Sequence, residues 1–545
     1  MPTLEWIGKD KVVNHHQEVP YRVLERQYSY DEAGQHTEDN NSESMIIHGD
    51  NLEALKALLP RYEGKVKCIY IDPPYNTGEE GWVYNDNVND PKIKNWLGQV
   101  VGKEGEDLSR HDKWLCMMYP RLKLLYKLLA NDGLIAVSIN DHELYNLGAI
   151  MNEIFGTSHR LACAPFRSEP SGGKEKTVLR TGHEYILFYY KNDTSNLCKE
   201  EKSTGKLNLK DKKGAYRKGR ELRKWGATSD RSDRPNLWFG IKTPAGEVAY
   251  PYKNDGTEGY WRWGKDNTGM AEILGDPEAA HWEYSPYDDG ITVNGQTHRW
   301  VPYEKIRDAK KSFGWNSWLD GYGTNADGTA VIKAIFGSKL FDTPKPLSLL
   351  EWIVSLHNDE NAIILDSFAG SGTTAHAVLN MNKADGGNRK FILVEMMDYA
   401  DSITAERVKR VINGYGEGKQ AVEGTGGNFS YYELGPVLLL PDGNINEDVD
   451  AQKIREYVYY METKEPLPAE QSEDEPYFMG MCRNTAYYFY YERERVTTLD
   501  YAFLSTIQTK AEGYTIYADL CTIPQEALRR HNITFKKIPR DIARL

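Results

Sequence analysis

Residues 68–78 read CIYIDPPYNTG. The first four have the apolar, β-branched and aromatic character of a buried strand, and the chain then meets Asp72, Pro73, Pro74 and Tyr75. Proline has no N–H for a sheet ladder and disfavours helical backbone in the residue before it. The strand must therefore end at Asp72 and continue as a stiff, projecting loop. Asp72 is presented at a strand's carboxyl end, the edge at which open α/β sheets hold their ligands. Upstream, MIIHG (45–49), DNLEALKALLPRYEG (50–64) and VKCIYI (66–71) read as strand, helix and strand. Downstream, RLKLLYKLLANDGLIAVSIND (121–141) runs a leucine-striped helix into another strand, and HEYILFYYK (183–191) adds one more. This alternation predicts a largely parallel sheet with covering helices. Residues 76–110, rich in Gly, Asn, Asp and Glu, are expected to form a lid over Asp72.

After residue 191 the alternation stops for about 150 residues, a stretch that holds eight of the thirteen tryptophans. It resumes in LSLLEWIVSLHNDENAIILDSFAGSGTTAHAVLNMNKADGGNRKFILVEM, residues 347–396. An acidic stretch, PDGNINEDVDAQ (441–452), then leads to short tyrosine-rich strands. Five segments follow: an N-terminal arm (1–44), a first half of the α/β domain (45–194), an insert (195–335), a second half (336–436) and a small C-terminal α+β domain (437–545).

Six cysteines (68, 116, 163, 198, 482 and 521) include no C-x-x-C pair, the usage of reduced thiols in a cytoplasmic protein. No apolar run is long enough to span a membrane and the opening residues lack a signal-peptide core, so neither insertion nor export is expected. His15, His16 and His48 have no ligand-like partners, and no metal is expected. A net charge of -13 argues against general polyanion binding, but between residues 199 and 234 basic residues outnumber acidic ones about two to one. That segment is the candidate phosphate-binding surface.

Two short motifs carry chemistry. In AIILDSFAGSGTTAHAVL (362–379) an apolar strand passes through Asp366 into Phe368, Gly370 and Gly372, and a helix opens at Thr373 and Thr374. Glycines at such a bend let backbone approach a ligand, and helix N-terminal amides favour an anionic or polar group. The next strand ends in Glu395, where a carboxylate can grip the two hydroxyls of an adenosine ribose. Ala375 stands where a dinucleotide motif carries its third glycine, and the Phe-x-Gly-x-Gly form points to a cradle for S-adenosylmethionine. At the other motif, Asp72 and the Pro73 carbonyl can accept the two hydrogens of an exocyclic amine, while Tyr75 can stack on the base that bears it.

The two motifs together resemble the amino-methylating DNA methyltransferases. With Asp72-Pro73-Pro74-Tyr75 preceding the glycine motif and a long insert between them, the order is similar to that of the β class of adenine-N6 enzymes. IIHGDNLEAL (46–55), DGLIAVSIND (132–141), TGHEYILFYYKN (181–192) and FDTPKPLSLLEWIV (341–354) resemble further family motifs. EWIGKDKVVNHHQEVPYRVLE (5–25) and SYYELG (430–435) are similar to the modification (Mod) subunits of type III restriction systems. The resemblance spans residues 4–435.

It implies a Rossmann-like, circularly permuted sheet of seven mostly parallel strands, with the insert as target recognition domain. It implies S-adenosylmethionine as cofactor, held by Asp50, Asn51, Asp72, Lys345, Asp366, Phe368, Ala369, Gly370, Ser371, Gly372, Thr373 and Glu395. Catalysis would fall to Asp72, Pro73, Pro74 and Tyr75 on an adenine extruded from the duplex, and Asp rather than Ser at position 72 favours adenine N6. The implied partners are double-stranded DNA, a second copy of the chain and a restriction nuclease or helicase subunit; from its position alone, the C-terminal segment is expected to serve dimerisation or nuclease docking. Two alternatives stay open: a catalytically silent DNA-recognition subunit of a nuclease complex, and a methyltransferase acting on RNA or protein amides.

Overall fold

The structure is a computed structural model that describes residues 3–77, 102–172, 178–468 and 474–543; most of the segment expected as a lid lies outside these residues. Strands and helices of the sheet-bearing part are numbered in chain order. They are β1 Arg22–Asp31, β2 Gly34–His36, β3 Met45–His48, α1 Asn51–Tyr62, β4 Val66–Ile71, α2 Gly102–Leu128, β5 Leu129–Ile139, α3 Leu144–Phe155, β6 Arg160–Phe166 and β7 Glu184–Tyr190. After the insert come α4 Asn325–Phe336, α5 Leu347–Ser355, β8 Ile363–Asp366, α6 Thr373–Asp385, β9 Lys390–Glu395, α7 Glu406–Asn413 and β10 Phe429–Val437.

The apolar runs that predicted strands form one sheet in the order β2-β1-β10-β3-β9-β8-β4-β5-β7-β6. Their central residues, among them Ile46, Ile47, Ile69, Ile71, Ile364, Leu365, Leu393 and Val394, are fully buried, as a sheet covered by helices on both faces requires. From β10 to β5 every neighbouring pair is parallel. β7 runs antiparallel to both β5 and β6. The seven strands β3, β9, β8, β4, β5, β7 and β6 are thus the mostly parallel sheet that the sequence outlines.

The sheet does not stop at seven. β10 adds in parallel to β3, β1 adds antiparallel to β10, and β2 closes a hairpin at the edge. Residues 1–44, expected as an arm, therefore supply sheet strands. The cause is side-chain pairing across the β1/β10 ladder: the Tyr28 and Tyr431 rings stack at 5.0 Å, and Ser29 and Ser430 share a buried 3.0 Å hydrogen bond.

The chain divides into two compact units, one of Met1–Cys198 with Asn316–Leu545 and one of Lys199–Trp315. The second unit is narrower than the expected insert of 195–335, because α4 packs against helices α5 and α7 of the first unit; the Arg410 guanidinium on α7 donates to the Ile335 carbonyl at 2.8 Å. The C-terminal segment, an α+β body with its own four-stranded sheet, also groups with the first unit. Its helix Ala451–Thr463 lies against α1, where Arg61 pairs with Glu456 at 2.7 Å and the Tyr460 hydroxyl donates to Glu63.

The Lys199–Trp315 unit has a separate core around Leu222, Phe239, Ile241, Trp261 and Met270. Its basic run is less available than its composition suggested. Lys213 pairs with Glu272, Lys218 with Glu283, Arg223 with Glu221 and Arg231 with Glu258, all at 2.7–2.8 Å. No disulfide is formed among the described residues, and Cys68, Cys116 and Cys482 are buried. Among the described residues no helix is long and apolar enough to cross a membrane.

Candidate active site

Adjacent parallel strands β4, β8 and β9 release the chain at the same sheet edge, at Asp72, Ser367 and Met396. A cavity of about 600 Å³ opens there, within the usual range for small-molecule sites. Asp72, Pro73, Pro74 and Tyr75 line one side of it. Asp366 to Ser371, Thr373 and Glu395 line the other, with Phe341 to Lys345 between.

On the Asp72 side the wall is made of side chains that hold one another. The Lys345 ammonium sits 3.2 Å from Asp72 Oδ2, donates to Glu184 Oε2 at 2.8 Å and donates to the Tyr75 hydroxyl at 2.7 Å. Tyr75 in turn donates to Glu184 Oε2 at 2.8 Å, and the Asn325 amide donates to Glu184 Oε1 at 3.3 Å. One ammonium thus faces two carboxylates in a buried place. Burial works against the Lys345 charge, but Asp72 and Glu184 outweigh it and raise its pKa. Burial pushes Asp72 upward against the pull of Lys345, whereas for Glu184 the same lysine and its hydrogen bonds win and hold the carboxyl low. Asp72 Oδ1 is buried and has no hydrogen-bond partner among the described residues, an expensive condition that an incoming donor would relieve. The loop itself is pinned, since the Pro74 carbonyl accepts from the Trp114 indole at 2.7 Å.

On the glycine side the wall is backbone. Asp366 accepts the Phe368 N–H at 3.0 Å and the Thr374 hydroxyl at 2.6 Å, and burial pushes its carboxyl up to about 7. Glu395 accepts the Gly370 N–H at 2.8 Å and the Met397 N–H at 3.0 Å. Thr404 donates to the Gly370 carbonyl at 2.6 Å. Gly370 has φ +52°, and a Cβ there would lie 3.1 Å from the Phe341 ring. Gly372 has φ +77°, and its Cβ would lie 3.1 Å from the Thr404 carbonyl oxygen. Only glycine takes this bend without strain, and the close approach of Phe341 and of the Thr404 carbonyl leaves no room there for a side chain. The Ser367 hydroxyl, on the same lining, is buried without a partner among the described residues. A nucleoside with polar substituents fits such a hollow.

The residues expected at the site are brought together with three exceptions: Asp50, Asn51 and Gly372 do not line the cavity. Asp50 caps α1 by accepting the Leu52 and Glu53 N–H groups at 2.8 and 3.2 Å, and pairs with Arg121 at 3.3 Å. Asn51 is buried and donates to the Ser367 carbonyl at 3.2 Å, supporting the glycine bend from below. Gly372 shapes the end of that bend.

The sequence reading did not single out Glu184. Its signal was an acid at the first residue of an otherwise apolar strand. Because β7 is antiparallel, that first residue lies at the edge where its parallel neighbours end. The Asn76 amide, held by buried Glu143 together with His111 at 2.6 Å, was also missed.

Residues 66–406 match the family model described as DNA methylase. The type II methyltransferase M.KpnI of Klebsiella pneumoniae is 32% identical over 372 residues, 66% of this chain and 81% of that protein. The EcoPI Mod subunit of a type III restriction-modification enzyme from Escherichia phage P1 is 31% identical over 428 residues, 72% of this chain. This chain spans only 63% of that subunit's length. Among solved structures, the PvuII DNA methyltransferase (cytosine-N4-specific) overlaps 67% of this chain and 86% of its own, at 13% identity and a TM-score of 0.29.

Proposed function

The chain belongs to the DNA methylase family whose pattern it carries over residues 66–406, and from that premise we propose that it methylates adenine N6 at a specific site in double-stranded DNA, using S-adenosylmethionine. We place it as the modification component of a type III-like restriction or phage-defence system. One observation carries this reading: an unpaired carboxylate oxygen, Asp72 Oδ1, and the glycine bend share a single cavity.

An exocyclic amine is a weak nucleophile while its lone pair is delocalised into the ring. Asp72 Oδ1 and the Pro73 carbonyl accept its two hydrogens and return the pair to the nitrogen. Lys345 fixes the other Asp72 oxygen, so the acceptor keeps one orientation. Tyr75, tethered through its hydroxyl to Glu184, offers its ring to the extruded base. S-adenosylmethionine, when bound, supplies an electrophilic methyl group; Glu395 and the backbone of Phe368 to Ser371 would hold it. Asp72 must be ionised to accept, so transfer falls on acidification.

The Lys199–Trp315 unit serves on this reading as target recognition domain. It carries 22 Lys and Arg against 18 Asp and Glu in a chain whose net charge is -13. Arg220, Lys224, Arg234 and Lys242, for which no ion pair is formed among the described residues, are the first candidates for phosphate or base contact. A second copy of the chain, a nuclease or helicase subunit and a cytoplasmic location complete the proposal.

The test is transfer of labelled methyl from S-adenosylmethionine to duplex DNA, followed by digestion to nucleosides. Label in N6-methyladenine is expected. Label in N4-methylcytosine would overturn the choice of base, and label in RNA or protein alone would overturn the substrate class.

A further inference from the structure

Two guanidinium groups are wholly enclosed in the sheet-bearing unit. Arg121 has a carboxylate beside it, Asp50 at 3.3 Å. Arg407, on α7, has none among the described residues, and burial pulls its pKa down to about 9. Its Nη1 donates to Ser371 Oγ at 2.9 Å, to Thr373 Oγ1 at 2.8 Å and to the Ser371 carbonyl at 3.3 Å, and its Nη2 faces the His376 ring nitrogen at 3.3 Å. All these partners are uncharged: burial and the neighbouring guanidinium keep His376 well below its ordinary pKa.

The same point is the N-terminus of the thirteen-residue helix α6, whose cap, Gly372, has no side chain to satisfy the first amides. A buried cation and the positive end of a helix dipole therefore converge on Ser371 and Thr373; the acid at this helix end, Asp366, is bound to Thr374, and no carboxylate pairs with the Arg407 guanidinium among the described residues. Both residues line the cavity. The Ser367 hydroxyl, 1% exposed and unpartnered among the described residues, lines it too. Elsewhere the lining carries Asp72, Glu169, Glu184, Asp342, Asp366 and Glu395, and its other cation, Lys345, is already paired with Asp72 and Glu184.

Resting on the reading of this cavity as a site for S-adenosylmethionine, we propose that Arg407 is a positioning residue that acts through the Ser371 and Thr373 hydroxyls to seat the ligand's α-carboxylate at the N-terminus of α6. Because the guanidinium occupies acceptor sites on both hydroxyl oxygens, their hydrogens turn away from it. One can bridge the 3.3 Å between Ser371 and Thr373, and the other is left to donate to the ligand. The carboxylate end of an amino-acid nucleoside then meets positive charge, and its cationic groups meet the acidic remainder of the lining.

The experiment is calorimetry on the full chain with two ligands, S-adenosylhomocysteine and its decarboxylated counterpart, which keeps the amine and lacks the carboxylate. The wild-type chain should bind the first at least about tenfold more tightly. Arg407→Met should lose about tenfold or more for S-adenosylhomocysteine and less than about twofold for the decarboxylated ligand, with Arg407→Lys between. Equal losses on both ligands, or none on either, would overturn the proposal, since a merely structural role does not discriminate a carboxylate. If Arg407→Met fails to fold, Ser371→Ala combined with Thr373→Val carries the same ligand-selective expectation. A wild-type chain that binds neither ligand overturns the cofactor reading itself, and a chain that binds both equally overturns only this inference.

Discussion

Around Asp72 the cavity wall consists of side chains that restrain one another, and around Gly370 it consists of backbone restrained by carboxylates. The first arrangement leaves an acceptor oxygen unpaired and poised for a donor. The second is a tight bend that two glycines make possible by taking conformations other residues avoid, and its backbone lines the cavity from Phe368 to Ser371. The contrast teaches where each kind of sensitivity should lie: the Asp72 wall should govern turnover and its pH dependence, the glycine wall ligand affinity.

Asp72→Ala gives the largest expected effect. Methyl transfer should fall by at least about 10²–10³-fold, because the lost acceptor acts most strongly in the transition state, while calorimetric affinity for S-adenosylhomocysteine should stay nearly unchanged. An equal loss of affinity would mean that the two walls do not divide the work. Gly370→Val should do the converse. With its Cβ 3.1 Å from Phe341 at φ +52°, cofactor affinity should drop roughly tenfold or more, with kcat at saturation within a few-fold of wild type.

Glu184→Gln sharpens the comparison through pH. Asp72 is pushed up first by burial and also by the negative charge of Glu184. The acid limb of the wild-type rate profile should therefore lie above the ordinary carboxylate range, and removing that charge should move it to lower pH. A limb that moves upward would contradict the arrangement.

Asp366→Asn acts on stability rather than on turnover or affinity. The folded pKa of Asp366 is about 7, above that of an unfolded aspartate. Its favourable contribution is fully present below the unfolded pKa and is lost as pH rises through the folded one, by up to roughly 4 kcal/mol. Between pH 5 and 8 the wild-type melting temperature should fall more steeply than that of the variant. Parallel slopes would show that burial does not perturb this group.

How much of this was legible in the sequence follows from the range of the interactions involved. The strand ending at Asp72 and the bend through Gly370 are written in contiguous residues, because proline and glycine act on their own backbone. That the two would meet depends on β4 lying beside β8, which the alternation of strand and helix made readable. Glu184 was not readable as a site residue, because its place depends on β7 being reversed. Arg407 lies thirty-six residues from Ser371, and its burial has no local signature. β1 was missed because its pairing with β10 joins segments about four hundred residues apart. Asp50, expected beside the cofactor, does not line the cavity, and its carboxylate caps α1.

The central claim is that the acceptor at Asp72 and the glycine bend serve one ligand pair in one cavity. A crystal structure of the chain with S-adenosylhomocysteine tests it most directly. The account predicts ligand density along Phe368 to Ser371, with the ribose hydroxyls at Glu395 and the sulfur turned toward the Asp72–Tyr75 loop. Density elsewhere on the protein, or a sulfur directed away from Asp72, would contradict it.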